Sequence, residues 1–275
     1  MSHDGAAFEW RLNRIVDPLW RRWVPAQTNG CALCVVGSTD GSEASFCARR
    51  QWHINLRGGK AMRVVCLSDT HLCPPPAGVP DADVLVHAGD LTLRGVESET
   101  EHALKWIDTL PHQHKLVIAG NHDFFFEGRA PRARELMTTH PTLTYLQDTG
   151  VTIGGLKFWG TPWQPWFYDW AFNLRRGREI REKWDLIPTD TDVLIVHGPP
   201  AGWLDRNGEG QECGCVDLLA AIKRITPRLV VFGHIHEGYG QAELVSKRRR
   251  IQLVNASICD ADYHPTNLPI VVDID

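Results

Sequence analysis

The sequence predicts a mixed α/β sandwich, two sheets packed together with helices outside. Two observations predict it. From about residue 61 onward, short β-rich apolar runs alternate with longer amphipathic stretches, first in strand–helix alternation and later as clustered strands. The runs are also continuously apolar instead of alternating with polar residues, which marks strands buried on both faces.

The chain has 275 residues, 43% hydrophobic and 23% charged, an ordinary globular composition large enough for one large domain or two small ones. The patterning divides it into an N-terminal extension over 1–60, partly irregular, and a domain over 61–275. In the extension, "FEWRLNRIVDPLWRRWV" spaces Phe8, Leu12, Ile15, Val16, Leu19, Trp20 and Trp23 along one helical face, interrupted by Pro18. This segment reads as a peripheral helix docked on the domain or as a membrane-surface helix. A Gly/Ser/Thr/Ala-rich stretch comes next. It contains Cys31 and Cys34 as a C-x-x-C, with Cys47 and His53 downstream; only one pair has a recognisable metal-ligand interval, so free thiols are the expected reading.

The predicted strands are "MRVVCL" (62–67), "DVLVHA" (83–88), "KLVIA" (115–119), "LKFWG" (156–160), "DVLIVH" (192–197), "RLVVFG" (228–233), "RIQLVNA" (250–256) and "PIVVDI" (269–274). The amphipathic segments lie at 97–110, 130–140, 175–186 and 214–224. Eleven tryptophans gather at the N-terminus and around 159–184. Core packing is the expected use for most of Trp159, Trp163, Trp166, Phe167 and Trp170, with stacking on a nucleobase at a cleft mouth as the alternative. The Gly-rich "DRNGEGQEC" (205–213) reads as a solvated linker or a rim element.

Charge and cysteine usage narrow the function classes. A net charge of −4 and a pI near 6.3 give no basis for general nucleic-acid binding. No stretch is apolar enough to span a bilayer, and "MSHDGAAFEW" lacks the features of a secretory signal. Eight cysteines in such a chain are expected to be reduced thiols in the cytoplasm.

The residues just past the apolar runs carry the chemistry. "VVCL" gives "SDTH" with Asp69 and His71; "VLVHA" gives "GD" with Asp90; "LVIA" gives "GNHD" with Asn121, His122 and Asp123. "VLIV" gives "HGPP" with His197, and "VVF" gives "GHIH" with His234 and His236. Ligands of α/β sheets bind beyond the carboxyl ends of strands, so five runs ending in Asp, Asn or His aim at one place. An i, i+2 spacing on extended chain should turn Asp69 with His71, and His234 with His236, to the same side. The glycines before Asp90, Asn121 and His234 should allow unusual backbone conformations and close approach. Seven candidate ligands exceed the need of one tetrahedral ion, but two divalent ions sharing a carboxylate at roughly 3.5–4 Å separation would use them all. Carboxylate, amide and imidazole without thiolate suit Mn²⁺, Fe²⁺, Zn²⁺ or Mg²⁺.

These residues resemble the calcineurin-like metallophosphoesterase superfamily, whose signature appears here as "SDTH", "HAGD", "AGNHD", "VHGPP" and "GHIH" over about 62–274. More narrowly, "GTPWQPWFYDWAFNL", "HGPPAGWLD", "GCVDLL", "FGHIHEGYG" and "NASICDADYHPTNLPIVVDI" are similar to the metallophosphoesterase-domain-containing phosphodiesterases. The resemblance implies a four-layer α-β-β-α sandwich and two divalent ions, with Mn²⁺ the first choice. It implies Asp69, His71, Asp90 and His236 at one ion, and Asp90, Asn121, His197 and His234 at the other. A metal-bridging hydroxide would then hydrolyse a phosphodiester of a small substrate such as a cyclic nucleotide. His122 is assigned to phosphate binding, with Asn121, and to protonating the leaving alkoxide; Asp123 would orient its ring or close the turn. Leu93 replaces the second Asp of the protein-phosphatase pattern in "GDLTLRG", while Arg94 remains to face phosphate. The alternatives are a nuclease or phosphomonoesterase of the same superfamily, and a metal-stabilised scaffold. The oligomeric state is left open.

Overall fold

A computed structural model describes residues 61–247 and 249–275. The extension over 1–60, with its amphipathic segment and Cys31, Cys34, Cys47 and His53, lies outside the described residues.

Thirteen strands and five α-helices are found among the described residues. The first sheet contains β1 (Met62–Leu67), β2 (Val84–Ala88), β3 (His114–Ile118) and β4 (Leu143–Tyr145) as parallel neighbours. The last strand, β13 (Ile270–Ile274), closes its β1 edge antiparallel, with Met62 opposite Ile274. The second sheet has the order β11-β12-β10-β9-β6-β5. Its parallel centre consists of β6 (Leu156–Thr161), β9 (Val193–Val196), β10 (Leu229–Phe232) and β12 (Arg249–Asn255). Antiparallel strands β5 (Thr149–Ile153) and β11 (Gly240–Ser246) form its edges. A small parallel pair, β7 (Gln164–Pro165) and β8 (Asn173–Leu174), stands apart.

The sheets meet on their apolar faces. Val64, Cys66, Val84, Val86, Ala88, Leu116 and Ile118 of the first share one buried cluster with Phe158, Val193, Ile195, Leu229, Val231 and Val254 of the second. The opposite face of the second sheet, with Leu194, Val196, Val230 and Phe232, packs on helices α4 (Arg178–Trp184) and α5 (Val216–Ile225) through Ile180, Trp184, Leu218 and Ile222. Central strands therefore have two apolar faces, which explains their unbroken apolar runs. Helix α1 (Glu97–Asp108) buries Ala103, Leu104 and Ile107, with Glu97 and Glu99 in its first turn and Lys105 in its last, as the helix dipole favours. Two short helices come after β3, α2 (Phe124–Gly128) and α3 (Ala130–Thr138).

The layered sandwich matches the expected fold class, and all eight predicted strands form, shifted by at most one residue at either end. The elements absent from the sequence reading are β4, β5, β7, β8, β11 and α2. None carries a continuous apolar run longer than three residues. β11 alternates in burial as an edge strand does, and β4 has only three residues.

At one edge the sheets are joined by backbone. Past the ends of β1 and β12, Ser68 N donates to Ala256 O (2.9 Å), and Ile258 N and Cys259 N donate to the carbonyls of Ser68 and Asp69 (2.8 and 3.2 Å). That seam lies where the carboxyl ends of β1, β2, β3, β9 and β10 deliver their polar residues.

Candidate metal centre

Asp69 and His71 follow β1, Asp90 follows β2, and Asn121 and His122 follow β3; His197 follows β9, and His234 and His236 follow β10. Their polar atoms form three overlapping groups, Asp69–His71–His236, His71–Asp90–His122 and Asp90–His197–His234, with the potential ligand atoms of each group within 4.8 Å of one another. Asp90 stands between the outer two. Its Oδ2 lies 3.8 Å from His71 Nε2, 3.4 Å from His197 Nε2 and 4.0 Å from His122 Nε2. Across the first group, His236 Nε2 is 3.4 Å from both Asp69 Oδ1 and His71 Nε2. Beside the third, Asn121 Oδ1 is 2.8 Å from His197 Nε2 and 2.7 Å from His234 Nδ1.

The convergence does not come from extended chain, as the i, i+2 reading expected. Asp69, His71, Asp90 and His234 all have positive φ, 50°, 44°, 55° and 69°. Residues other than Gly rarely adopt this left-handed conformation, and strain of this kind persists where the surroundings over-determine it. Strands β1, β2 and β10 thus end in a left-handed kink that swings the side chain toward the centre, whereas Asn121 and His197 reach it without one. Gly89 has the conformational role expected of it, with φ +97°. Gly233 has a different one: no positive φ, but a Cβ there would lie 1.9 Å from Asp69 Oδ2.

Backbone carbonyls orient the imidazoles. The Nδ1–H groups of His71, His122, His197 and His236 donate to Thr92 O (2.9 Å), Leu93 O (2.8 Å), Ala88 O (3.0 Å) and Asp260 O (2.7 Å). That fixes the tautomer and turns four Nε2 atoms inward, the arrangement that hydrogen-bond acceptors behind the ring give to metal-binding histidines. Asp69 is held by His234 N, 3.0 Å from both its oxygens, and by Ser257 Oγ at 2.8 Å.

Electrostatics calls for positive charge here. Burial lowers His71 and His234 to about 3, helped by the neighbouring His122 and His197 respectively, so both are neutral. Burial also works against charging His197 and His236, but contact with Asp90 and Asp69 outweighs it and raises each to about 9. Burial disfavours the charges of Asp69 and Asp90 as well, yet the facing imidazoles hold both below the usual carboxylate range. The Nε2 atoms of His71 and His236 face each other at 3.4 Å with both Nδ1–H groups committed elsewhere, an approach that a cation between them would satisfy. The donor set of carboxylates, an amide oxygen and imidazoles is the one that borderline and hard divalent ions take, so these residues fit a divalent metal centre.

Asp123 does not touch the His122 ring. Its carboxylate accepts from Gly120 N, Leu91 N, Thr92 N and Thr92 Oγ1 (2.8, 3.2, 3.0 and 2.7 Å), which closes the turn and ties it to the Asp90 loop. Burial and the Asp90 charge push its carboxyl up to about 7. Arg94 is exposed on the loop after Asp90, outside the residues that line the cavity.

Above the centre opens a cavity of about 200 Å³, walled by Asp90, Asn121, His122, His234 and His236 below and by Phe167, Trp170, Glu237 and Tyr263 around. The tryptophan-rich segment divides between two environments. Trp159 and Trp163 pack against the apolar cluster of the second sheet, as expected. Trp166 and Phe167 are instead exposed at 60% and 51%, and Trp170 stacks on His122 with ring centroids 4.2 Å apart. The 205–213 loop is mostly solvent-exposed and none of its residues lines the cavity, but it is tied to a residue that does: Gly208 N donates to Glu237 Oε1 at 2.8 Å, while Asp205 Oδ2 accepts from Gly202 N and Gly214 N. Sequence reasoning missed Ser257, which holds Asp69, and Tyr263, whose hydroxyl is 3.4 Å from His122 Nε2. Both lie in the loop after β12, which has no Asp or His at a strand end to mark it.

The calcineurin-like phosphoesterase model matches residues 62–238. The human and mouse proteins named Metallophosphoesterase domain-containing protein 1 are each 44% identical over 234 residues, 77% of this chain and 71% of theirs. A UPF0046 protein of Caenorhabditis elegans is 38% identical over 225 residues, covering 78% of this chain and 76% of its own. One crystal structure, 17% identical, matches 78% of this chain and all of its own with a TM-score of 0.54, a likeness of fold.

Proposed function

The chain belongs to the calcineurin-like phosphoesterase family, and from that premise we propose that it hydrolyses phosphodiester bonds of small substrates at a centre of two divalent ions, Mn²⁺ first among them. Asp69, His71, Asp90 and His236 would hold one ion, and Asp90, Asn121, His197 and His234 the other. The observation that carries the reading is the position of Asp90 Oδ2, 3.8 Å from His71 Nε2 on one side and 3.4 Å from His197 Nε2 on the other, as a shared carboxylate requires.

Bound ions of this kind supply Lewis acidity, polarising the phosphoryl group and lowering the pKa of water to near neutrality. The rest is the work of the chain. Asn121 and His122 line the cavity where a phosphoryl group would enter. His122 keeps its Nδ1–H on Leu93 O and presents Nε2 to the cavity, so when doubly protonated it can hand one proton to the leaving oxygen without losing its orientation. Trp170 covers one face of that ring and keeps it from bulk water. A cavity of about 200 Å³ accepts a phosphoryl group and its immediate substituents, and Phe167, half-exposed in its wall, favours a flat ring at the mouth. Cyclic nucleotides meet both conditions.

Turnover of bis-p-nitrophenyl phosphate and p-nitrophenyl phosphate with Mn²⁺, Fe²⁺, Zn²⁺ or Mg²⁺, and with EDTA, tests the reading; a panel of 2′,3′- and 3′,5′-cyclic nucleotides comes second. The expected result is metal-dependent hydrolysis that prefers the diester. Preference for the monoester would overturn the diester assignment, and no turnover with any ion would overturn the enzyme.

A further inference from the structure

Tyr263 is placed at unusual conformational cost. Its φ is +63°, a left-handed value that a bulky side chain seldom takes. The loop that imposes it is anchored on Asp260: Tyr263 N donates to Asp260 O (2.9 Å), while Asp262 N and His264 N donate to Asp260 Oδ1 (3.0 and 2.9 Å). The same Asp260 carbonyl accepts His236 Nδ1–H at 2.7 Å, so one residue sets both the tyrosine and a proposed metal-binding imidazole.

The conformation carries the ring over the centre. It packs edge-on against His71 and His236, with centroids 4.7 and 5.5 Å away, and walls the cavity opposite Trp170. Its hydroxyl stops 3.4 Å from His122 Nε2. A packing residue would need only the ring. The hydroxyl instead points at the atom from which a leaving group would take its proton. Two donors 3.4 Å apart can both reach one oxygen at an ordinary hydrogen-bond length of about 2.8 Å.

We propose that Tyr263 is a catalytic residue: its hydroxyl, beside His122 Nε2, donates a hydrogen bond to the leaving oxygen of the phosphoester as the P–O bond breaks. The role rests on the phosphoesterase reading above. In the step, the oxygen of a deprotonated water bonds to phosphorus and the P–O bond to the leaving group breaks, its electron pair staying on the leaving oxygen. That oxygen takes the proton of His122 Nε2, and Tyr263 keeps its own proton throughout. Charge that builds on the leaving oxygen before proton transfer is thus met by a fixed donor, the situation in which a single hydrogen bond has its largest effect on rate.

Tyr263→Phe removes the hydroxyl and keeps the ring. The full-length, metal-reconstituted variant and wild type are compared on aryl phosphodiesters of graded leaving-group acidity, with bound metal and melting temperature measured alongside. The expected result is a fall in kcat of about 10–100-fold for the least acidic leaving group and about threefold or less for the most acidic, with KM, metal content and melting temperature unchanged. In the metal-free protein, the ¹⁵N resonance of His122 Nε2 should shift in the variant, because a hydrogen-bond partner has gone. Wild-type leaving-group dependence in the variant overturns the role of Tyr263 alone. Loss of metal or of melting temperature would mark a structural residue and also overturns it, as does an unmoved His122 resonance. Wild-type protein that hydrolyses no phosphoester overturns the proposed function, and this role with it.

Discussion

Replacing Gly233 by alanine adds one methyl group at the point where β10 meets the centre. The added Cβ would lie 1.9 Å from Asp69 Oδ2, 2.2 Å from Ser68 Oγ and 2.6 Å from Ser68 Cβ. Cβ atoms essentially never approach another atom more closely than 3.0 Å, so the Asp69 carboxylate must retreat by at least 3.0 − 1.9 = 1.1 Å. It has little freedom to do so, because Ser257 Oγ and His234 N hold it and both flanking strands are buried. Overpacking costs about 1–3 kcal/mol, and a weakened hydrogen bond to a charged group adds about 1.5–3 kcal/mol. Together they lower the unfolding free energy by about 3–5 kcal/mol. Ligand distances in metal sites stay within about 0.2 Å of standard values, so the ion proposed at Asp69, His71, Asp90 and His236 should be lost while the proposed Asp90–Asn121–His197–His234 set keeps its own. Urea unfolding gives the first quantity, and metal content after gel filtration gives the second. Gly233 has no positive φ, so alanine brings no backbone penalty and the effect is steric. A variant that retains two ions and unfolds within about 1 kcal/mol of wild type would refute the close packing of Asp69 against Gly233.

His234→Ala and His236→Ala should each remove about one metal equivalent, from different positions, although only Ile235 separates them; metal titration that finds neither ion lost in one of them would refute the division of ligands. His87 is fully buried, with its Nε2 2.9 Å from Thr70 Oγ1, and burial lowers it to about 4. Unfolded histidine titrates near 6.5, so between about pH 6.5 and 4 the unfolded chain binds a proton that the fold refuses, and stability falls as pH falls. The drop approaches about 3 kcal/mol on the scale of about 1.4 kcal/mol per pH unit. His87→Phe should remove about one proton's share of that slope from the stability profile measured by urea unfolding at fixed pH, and a parallel profile would refute the buried neutral imidazole.

Legibility tracked the chemistry of burial. Central strands such as "VVCL" and "VLIV" were visible because a strand covered on both faces must be apolar throughout. Edge strands such as "GQAELVS" are wetted on one side and have no such mark. The candidate ligands were visible because each comes directly after a run, but the way they converge was not. A left-handed φ at Asp69 or His234 is imposed by tertiary packing and has no signature in residue type. The same limit applied to Tyr263 and Ser257, which reach the centre from a loop far along the chain from Asp69, 188 positions on at Ser257. It applied also to the role of Gly233, where nothing but the position of a neighbour distinguishes a glycine needed for space from one needed for rotation.

The seven converging side chains are shared between the two sheets: Asp69, His71, Asp90 and Asn121 come from the first, and His197, His234 and His236 from the second. This division has a consequence for how the molecule is made. During synthesis the first sheet's share emerges well before residue 197, yet neither proposed set of ligands is complete until the second sheet's strands β9 and β10 have left the ribosome and found their counterpart. An ion held by both sheets therefore cannot nucleate either half. Such an ion would act as a latch on the finished sandwich, its binding energy opposing separation of the sheets more than fraying within either one.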